Sequence, residues 1–546
     1  MRPAYALALL LLATGCAASP VTPRTARTHA TTSAAVPEGA PRAPLAWAKL
    51  DATTLARAKA ERKYIVLDGS AEWCHWCHVM EATTYHDPAV RKLLDARFIS
   101  VKVDVDSRPD IEERYGDYGW PATVIFSPDA VELGKYRGYI APEKFVGILR
   151  DVVESNVAEQ GAPQPGVEKP AAPARPMSEE ELAWIGRFVE VELEEYWDEK
   201  QGGWGRTQKA PLAWDNAWAL KKAARGDATS KQRALFTLER QAKLIDPVWG
   251  GIYQYSAAAD WDHAHFEKLM PFQAGALDNY AAAYALTRDP AQLALANKMR
   301  SYLEGMLLGP GGGFYATQDA DVNAHDATKP FMNGHDYYAL GEVARRKAGL
   351  PRIDTHVYGK ENGLAIYAYC TYVAATQDAS ALAVAERAAA HVLATHATPS
   401  GAISHDAQKP DAPARLLYLA DNAAFGLALV RLHEVTGKRE HLDAATRIAA
   451  VMLRDMQDAR GGGFFASTLD PDAAGVFATR RTPFEDNVTA LRLLARLAKT
   501  DTANAPAYRT AIARTFHAIA TPEELKGRGR MLGDFLLALA ETRGVR

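Results

Sequence analysis

Two cysteines, two histidines and two tryptophans fall within the stretch AEWCHWCHVM, residues 71–80. Cys74 and Cys77 have the spacing of a redox-active pair, in which one thiolate attacks a disulfide and the other resolves the product. The stretch also matches the C-x-x-C-H pattern of covalent haem attachment, and its cysteines and histidines are residue types that bind zinc. Three chemistries are therefore open here: thiol–disulfide exchange, haem attachment and metal binding.

The elements on either side of this stretch narrow the choice. YIVLDGS, residues 64–70, predicts a strand directly before it, and FISVKVDVD, residues 98–106, and ATVIFSP, residues 122–128, predict two more. Helices fit between these strands, VELGKYRGYI predicts a late hairpin strand, and PEKFVGILRDVV predicts a closing amphipathic helix. This order of β-α-β followed by β-β-α resembles the thioredoxin fold over residues 45–159.

The resemblance extends to single residues. AEWC matches the approach of thioredoxins to their active site, and GWPA places Pro121 where that family has its cis-proline. Asp68 falls where thioredoxins have a buried carboxylate. The resemblance implies that Cys74 is the attacking thiolate, that Cys77 resolves the mixed disulfide, and that Asp68 accepts the proton of Cys77.

The physical chemistry of the motif supports these roles. At the first turn of a helix, unpaired backbone amides and the helix dipole stabilise the Cys74 thiolate and make it a nucleophile. Cys77 lies one turn later on the same face and can reach back to Cys74. His75 and Trp76 tune the redox potential, and a protonated His75 moves the pair toward the oxidising side. A cis Pro121 would hold a backbone edge opposite the cysteines for an incoming chain.

Haem and zinc are less well supported. A haem-binding histidine must face the haem, whereas this motif follows a strand and starts a helix in a thioredoxin-like sequence. Zinc would need both cysteines and both neighbouring histidines to converge from one helical turn, and no second pair of such residues is nearby. We therefore expect no resident metal or cofactor. A cysteine pair kept for structure, without turnover, is a further alternative.

The start of the chain predicts export. The apolar stretch over residues 4–13 is too short to span a bilayer and leads into the lipobox-like ATGC, which ends at Cys16. This resembles a bacterial lipoprotein signal, so we expect a signal peptide over residues 1–16, lipid on Cys16 and a tether over residues 17–44. The expected location is the bacterial cell envelope, extracytoplasmic and lipid-anchored. A plain signal peptide cleaved elsewhere is the alternative.

A second body follows a linker rich in proline, glycine and alanine, residues 160–177. Over residues 178–546 amphipathic helices recur, punctuated by Gly-Gly-aromatic turns such as Gly312-Gly313-Phe314 and Gly462-Gly463-Phe464. Gly313 follows Gly251 of the turn Gly250-Gly251-Ile252-Tyr253 by 62 residues, and Gly463 follows Ala402 of the degenerate copy Gly401-Ala402-Ile403 by 61, a spacing that fits a helical hairpin with its loops. About a dozen helices closing in a ring predict an all-α (α/α)₆ toroid.

Longer motifs indicate a narrower family. CHWCHVME, VKVDVDSRPDIEERY and GWP in the first body, with HFEKLM, GGGFYATQDAD and EDN in the second, resemble the spermatogenesis-associated protein 20 family. The resemblance implies an α/β thioredoxin-like domain fused to a six-hairpin glycosidase-like (α/α)₆ toroid. After the last EDN the chain reads VTALRLL instead of the family's Pro-Ser-Gly run, which argues against an intact sugar site.

In such toroids the loops at one end line a cleft, where polar residues do the work. Paired carboxylates serve glycoside hydrolysis, and a histidine such as His265 serves proton transfer in sugar epimerisation. DADVN begins like a calcium loop but lacks its glycine and its final acid, which argues against calcium. The candidates for the cleft are Asp215, His265, Glu267, Asp319, Asp321, Asp421, Asn422, Glu485, Asp486 and Asn487.

The composition does not favour nucleic acid as a partner, because the formal net charge is only −3 over 546 residues. We predict an extracytoplasmic thiol–disulfide oxidoreductase that acts on protein thiols or disulfides, with a toroid that binds a carbohydrate or a protein client. The membrane is contacted through the lipid anchor only. The alternatives are a carbohydrate-active enzyme of hydrolase or epimerase type with a redox-silent thioredoxin domain, and a non-catalytic envelope binding protein.

Overall fold

In the computed structural model, the first described region folds around a four-stranded sheet with the order β2-β1-β3-β4. Strand β1, Tyr64–Ser70, runs parallel to β2, Phe98–Asp104, and antiparallel to β3, Ala122–Phe126, which pairs with β4, Glu132–Arg137. Every residue of β1 is buried, because its alternate side chains enter two separate hydrophobic cores on the two faces of the sheet. This arrangement confirms the predicted thioredoxin-like fold.

The structure describes residues 45–155, 174–326, 328–407 and 416–545. The predicted signal peptide with Cys16, the predicted tether and most of the predicted linker lie outside the described residues.

Helices flank the sheet, and their starts follow from capping side chains. Asp51 and Asp87 accept hydrogen bonds from backbone amides at the starts of the first and third helices, and Cys74 occupies the same position before the second. The helices are α1 Ala52–Glu61, α2 His75–Thr83, α3 Pro88–Arg97, α4 Pro109–Tyr115 and α5 Pro142–Glu154, with a 3₁₀ turn at Gly116–Tyr118.

The second region is a ring of helical hairpins. Among its described residues, six inner helices contact one another in chain order and the last packs against the first, so the ring is closed and the predicted (α/α)₆ toroid is confirmed. The inner helices are α7 Ala213–Ala223, α9 Met270–Thr287, α13 Gly359–Thr376, α15 Leu419–Thr436, α17 Phe484–Thr500 and α20 Gly533–Thr542. The outer helices are α6 Glu179–Glu195, α8 Ala228–Gln241, α10 Pro290–Tyr302, α14 Ala379–His396, α16 Arg439–Val451 and α18 Ala505–Ile519.

Short elements join the hairpins and carry several of the predicted motifs. HFEKLM runs from the end of β6 through β7 into α9, and QDAD begins in β8. The short helices are α11 Gly334–Tyr338, α12 Glu342–Ala348 and α19 Pro522–Arg528. The short strands are β5 Tyr255–Ser256, β6 Ala264–His265, β7 Lys268–Leu269, β8 Thr317–Gln318 and β9 Ile353–Asp354.

Four of the described glycine turns are tight loops, each locked by an amide side chain of an inner helix. Gly250 has a φ of +74°, and a Cβ atom there would lie 2.4 Å from the carbonyl oxygen of Lys298, so only glycine fits. After a later turn, the Asn362 side chain accepts from the backbone N–H of Phe314 at 2.8 Å and donates to its carbonyl at 3.0 Å. The same pair of hydrogen bonds, one accepted and one donated by the side-chain amide, joins Gln273 to Ile252, Asn422 to Ile403 and Asn487 to Phe464.

The thioredoxin-like region and the ring belong to one compact unit, residues 42–546. The thioredoxin-like region lies against the end of the ring where the inner helices begin. Its helix α4 contributes Glu112, which pairs with Lys360 at the start of α13 (3.5 Å), and Glu113, which pairs with Arg481 just before α17 (3.1 Å). Within the part of the chain described, no helix combines the length and apolar character that crossing a bilayer requires.

Candidate functional site

Cys74 and Cys77 form a disulfide at the start of α2, and both are buried. Cys74 caps the helix, because its Sγ accepts a hydrogen bond from the backbone N–H of Cys77 at 3.2 Å. In the dithiol state the same amide and the helix N-terminus would stabilise a thiolate on Cys74. The geometry therefore suits Cys74 as the nucleophile of the pair.

Asp68 lies in the central strand β1, opposite Lys102 on β2. Its side chain is buried, and burial raises the pKa of the carboxyl to about 6, although the charge of Lys102 acts in the opposite direction. A carboxyl group with this pKa can accept and release a proton near neutral pH, as a proton acceptor for a thiol must.

A chamber of about 670 Å³ lies between the thioredoxin-like region and the ring. It is lined by Cys74, His75 and Trp76 from the first region, and by His265, Glu267 and His405 from the second, among others. Cys77 is not among the lining residues, so Cys74 offers the sulfur that a molecule in the chamber would meet first. Cavities of roughly 300–1,000 Å³ are typical of small-molecule sites.

Pro121 stands at the edge of this chamber. The peptide bond between Trp120 and Pro121 is cis, and Pro121 directly precedes β3. The neighbouring Gly119 and Trp120 line the chamber together with Cys74. The loop with the proline and the cysteine turn thus face the same space.

His75, between the two cysteines, is bound to the ring. Its Nδ1 lies 2.6 Å from Oδ2 of Asp321, a buried carboxyl of the loop after β8 whose Oδ1 accepts from the backbone N–H of Gly334 at 2.8 Å. The hydrogen bond to Asp321 raises the pKa of His75 and favours its protonated form. The residue that the sequence predicts to tune the cysteine pair is therefore hydrogen-bonded to a residue of the toroid.

Glu267 and His265 form the ring's side of the chamber. Glu267 is 5% exposed, and its Oε2 has no hydrogen-bond partner among the described residues. Burial raises the pKa of Glu267 to about 7, so this carboxyl can exchange a proton at neutral pH. His265 stacks on Tyr255 with ring centres 4.2 Å apart, and burial lowers its pKa.

His405 also lines the chamber, and it joins the two regions. Its Nδ1 lies 3.0 Å from Oδ1 of Asp421, and its Nε2 donates to the backbone carbonyl of Asp106 at 2.7 Å. Burial disfavours a charged His405, but the carboxylate of Asp421 more than offsets this and raises the pKa to about 9. His405 is therefore a cation at neutral pH with both nitrogens engaged.

Other predicted cleft residues lie behind the chamber wall. Asp319 is buried, and its Oδ1 accepts from the backbone N–H of Asp321 at 3.0 Å. Asp486 lies near Lys360, which lines the chamber, and burial raises the pKa of Asp486 to about 7. Together with Asp421, these acids surround the chamber without lining it.

Four predicted cleft residues have structural roles instead. Asn422 and Asn487 are fully buried and lock the Gly-Gly-aromatic turns described above. Asp215 accepts from the backbone N–H of Gly533 at 2.9 Å where the ring closes. Glu485 is exposed and pairs with Arg528 at 2.7 Å. Amides and acids at the starts of inner helices satisfy nearby backbone groups or basic side chains, which a sequence pattern does not separate from ligand binding.

The sequence reasoning missed His405. A partial signal for it exists, because the fifth residue counted from the first glycine of the repeat lines the chamber in three copies, at Gln254, Ala316 and His405, although not at Arg206 or Ala466. Asp106 was also missed. Only the tertiary packing identifies it: Asp106 accepts a hydrogen bond from Nε1 of Trp73 at 2.7 Å.

Comparison with known proteins agrees with both halves. A family model described as "Protein of unknown function, DUF255" (Thioredox_DsbH) matches residues 29–156. The chain is 26% identical to spermatogenesis-associated protein 20 of Homo sapiens over 332 residues, which is 55% of this chain and 42% of that protein. It thus matches less than half the length of that relative. It is also 34% identical to thiol:disulfide interchange protein DsbD 1 of Pseudomonas aeruginosa over 109 residues, 18% of each chain.

Solved structures resemble the ring. Cellobiose 2-epimerase from Spirochaeta thermophila matches with a TM-score of 0.51 and 14% identity over 67% of this chain and 98% of that one. D-mannose isomerase matches with a TM-score of 0.50 and 11% identity over 67% of this chain and 97% of that one. At these identities the likeness shows the fold alone. The predicted resemblance to the spermatogenesis-associated protein 20 family is confirmed by the relatives and the family model described above.

Proposed function

We propose that this relative of spermatogenesis-associated protein 20 is a thiol–disulfide oxidoreductase whose toroid encloses the space in which a client meets Cys74. The observation that carries the proposal is the chamber, because it is lined by Cys74 on one side and by His265 and Glu267 of the ring on the other. The similarity of a short segment to a thiol:disulfide interchange protein is in keeping with this proposal.

The reaction follows from the arrangement of the pair. In the reduced protein, the Cys74 thiolate attacks one sulfur of a client disulfide, the client's S–S bond breaks, and one client thiolate leaves and takes up a proton. Asp68 accepts the proton of Cys77, whose thiolate attacks Cys74 Sγ and releases the second client thiol. The client is reduced by two electrons and the protein is left with the Cys74–Cys77 disulfide, which an external dithiol returns to the reduced state.

The chamber limits the size of the client. Its volume of about 670 Å³ is in the range of small-molecule sites, so we expect a small molecule or a short extended segment to reach Cys74 through it more readily than a folded domain. Carboxylates such as Glu267 and Glu361 and aromatic rings such as Trp120 and Tyr358 all line its wall. This lining suits a polar client that carries hydroxyl or cationic groups, including a carbohydrate-bearing disulfide or an unfolded peptide that contains a disulfide.

A size-selection assay tests the proposal. We expect the reduced protein to reduce low-molecular-weight disulfides and short unfolded peptides about 100-fold faster than a native disulfide protein. Gln254→Trp, which narrows the chamber from the ring side, should lower kcat/KM for the small disulfides about tenfold. Lys231→Trp on the exposed face of the outer helix α8 is the matched control. Equal rates for all clients and no effect of Gln254→Trp would refute the chamber as the route.

Asp68→Asn should slow the second step of this reaction. Because the pKa of Asp68 is about 6, the carboxylate becomes available as pH rises through 6, and resolution by Cys77 in the wild type should accelerate over that range. The side-chain amide of the variant cannot accept a proton, so we expect resolution to be about 10- to 100-fold slower at pH 7, without the acceleration near pH 6. Rapid-mixing kinetics separate this step from the first attack by Cys74, which should change less than about twofold. Exposed Asp95→Asn serves as the control, and equal slowing of both steps would contradict the role.

A second candidate is a carbohydrate-active enzyme with a redox-silent thioredoxin-like region. The observation that favours it is Glu267, a buried carboxyl whose Oε2 has no hydrogen-bond partner among the described residues and which lines the chamber together with His265. The two candidates separate in one experiment: sugar turnover that persists in Cys74→Ser and is lost in Glu267→Gln supports the carbohydrate enzyme.

The location belongs to the proposal as well. The lipobox-like ATGC at Cys16 supports an extracytoplasmic, lipid-anchored protein of the bacterial envelope. In that compartment disulfides form and persist, so a client disulfide would be available to the reduced protein.

A further inference from the structure

We propose that His78, Asp319 and His325 form a binding site for a divalent transition-metal ion of the zinc type. His78 belongs to helix α2 of the thioredoxin-like region, whereas Asp319 and His325 belong to the segment that follows β8 in the ring. One ligand atom from each residue lies within 4.8 Å of the others. The site is separate from the redox pair and does not depend on the proposed function.

The hydrogen bonding of His78 suits a metal ligand. Its Nε2 lies 3.1 Å from the backbone carbonyl oxygen of Glu72 and donates to it, so the tautomer has its free lone pair on Nδ1. That Nδ1 is buried and finds no hydrogen-bond partner in the described part of the structure. Metal-bound histidines typically donate their other ring N–H to a carbonyl or a carboxylate in this way.

His325 repeats the arrangement from the other side. Its Nε2 lies 2.8 Å from the same Glu72 carbonyl and 3.3 Å from Oδ2 of Asp319. The two histidine rings meet edge to face with their centres 4.5 Å apart. Asp319 is 1% exposed, and its Oδ1 is engaged by the backbone N–H of Asp321, which leaves Oδ2 directed toward the histidines.

The donor set indicates the class of ion. Two imidazoles and one carboxylate match zinc sites that have three protein ligands and an open fourth position for water. Calcium and magnesium prefer sets of oxygen atoms. Ligands of tetrahedral zinc lie about 3.3–3.5 Å apart, so atoms that are now up to 4.8 Å apart must approach by as much as about 1.4 Å. His78 and His325 are the two of these three side chains that are not fully buried, and they are the ones that would have to move.

The position of the site gives it a consequence. The metal would join helix α2, which carries Cys77, to the segment that holds Asp321, the partner of His75. It would therefore fix the interface that forms one wall of the chamber. Neither the CHWCH motif nor the DADVN motif holds a complete site alone, because one ligand comes from the first and two come from the neighbourhood of the second.

The test is a metal titration of the full-length protein. The protein is kept oxidised, so that Cys74 and Cys77 are held in their disulfide and cannot bind the metal as thiolates. With Zn²⁺ we expect one ion per chain by calorimetry and elemental analysis. With Co²⁺ we expect the visible absorption of a low-symmetry four- or five-coordinate site. His78→Ala and His325→Ala should each weaken Zn²⁺ binding at least about 100-fold. The exposed His335→Ala and the double variant Cys74→Ser/Cys77→Ser should bind like the wild type.

The outcomes separate clearly. Absence of stoichiometric Zn²⁺ binding overturns the proposal, as does binding that survives His78→Ala and His325→Ala, or binding that is lost in the double cysteine variant. Asp319→Asn preserves the shape of the side chain and removes its charge. It provides a further variant if circular dichroism shows that an alanine variant is misfolded. Redox turnover that persists without the metal would leave the proposed function intact. The metal titration tests the metal site independently of that function.

Discussion

Replacing Cys74 with serine should abolish turnover of a low-molecular-weight disulfide, with a loss of about 10³-fold or more in kcat/KM. The reason is that Cys74 is the cysteine that lines the chamber, and the start of α2 stabilises its thiolate. A serine hydroxyl at this position cannot attack a disulfide at neutral pH. The measurement is the steady-state release of client thiol by the reduced protein.

Cys77→Ser should give the complementary result. The first attack by Cys74 still occurs, but no second thiolate resolves it, so a stable mixed disulfide between the client and Cys74 should accumulate and be visible by mass spectrometry. Cys370→Ser is the control, because Cys370 is fully buried in α13 and burial raises the pKa of its thiol to about 12. Turnover that persists in Cys74→Ser, or that depends on Cys370, would contradict the assignment.

Asp246→Ala should destabilise the ring by about 3–5 kcal/mol. Oδ2 of Asp246 accepts from Lys268 at 2.8 Å and from Arg345 at 2.7 Å, and all three side chains are fully buried. Removing the carboxylate leaves two cations buried without their partner, a cost that exceeds that of losing the pair itself. Burial already lowers the pKa of Lys268 to about 8, so in the variant this lysine should lose its proton more readily.

Urea denaturation followed by tryptophan fluorescence measures this effect as a fall in the free energy of unfolding. The matched control is Asp262→Ala, which removes an exposed partner of Lys243 (2.7 Å) and should cost less than about 1 kcal/mol. Equal losses in the two variants would show that the buried cluster contributes no more to stability than an exposed ion pair.

The same motif also connects stability with the site. In HFEKLM, Lys268 enters the buried cluster with Asp246, while the preceding Glu267 faces the chamber, because consecutive side chains of an extended segment point to opposite sides. The lysine therefore holds the strand on which the carboxyl is presented. Loss of Asp246 should disturb the chamber wall as well as the core.

Local patterns in the sequence predicted the local structure well. YIVLDGS is apolar throughout most of its length because β1 is buried on both faces, and the strand has the predicted bounds Tyr64–Ser70. The predicted second strand ended at residue 106, two residues beyond β2, because the chain leaves the sheet after Asp104 toward the chamber. The glycines also marked the turns between the helical hairpins. They could do so because positive φ values at close backbone contacts admit only glycine.

The polar residues of the ring were harder to interpret from sequence. Asn422 and Glu267 look alike as polar residues beside glycine turns, but Asn422 uses its hydrogen bonds on Ile403, whereas Oε2 of Glu267 is left without a partner among the described residues. Whether a buried polar group serves the fold or a ligand depends on which partners the packing brings to it.

By itself the sequence determined the elements, the thioredoxin-like and toroid folds, and the cysteine pair at the start of a helix, because these depend on periodicity and short-range geometry. Only the tertiary structure decided that the ring lies opposite the cysteine pair and completes the chamber that Cys74 lines. His75 meets Asp321 across 246 positions of the chain, and His405 meets the backbone of Asp106 across 299. Contacts between such distant segments arise from the docking of two independently patterned regions, and no local pattern of residues specifies how their surfaces fit together.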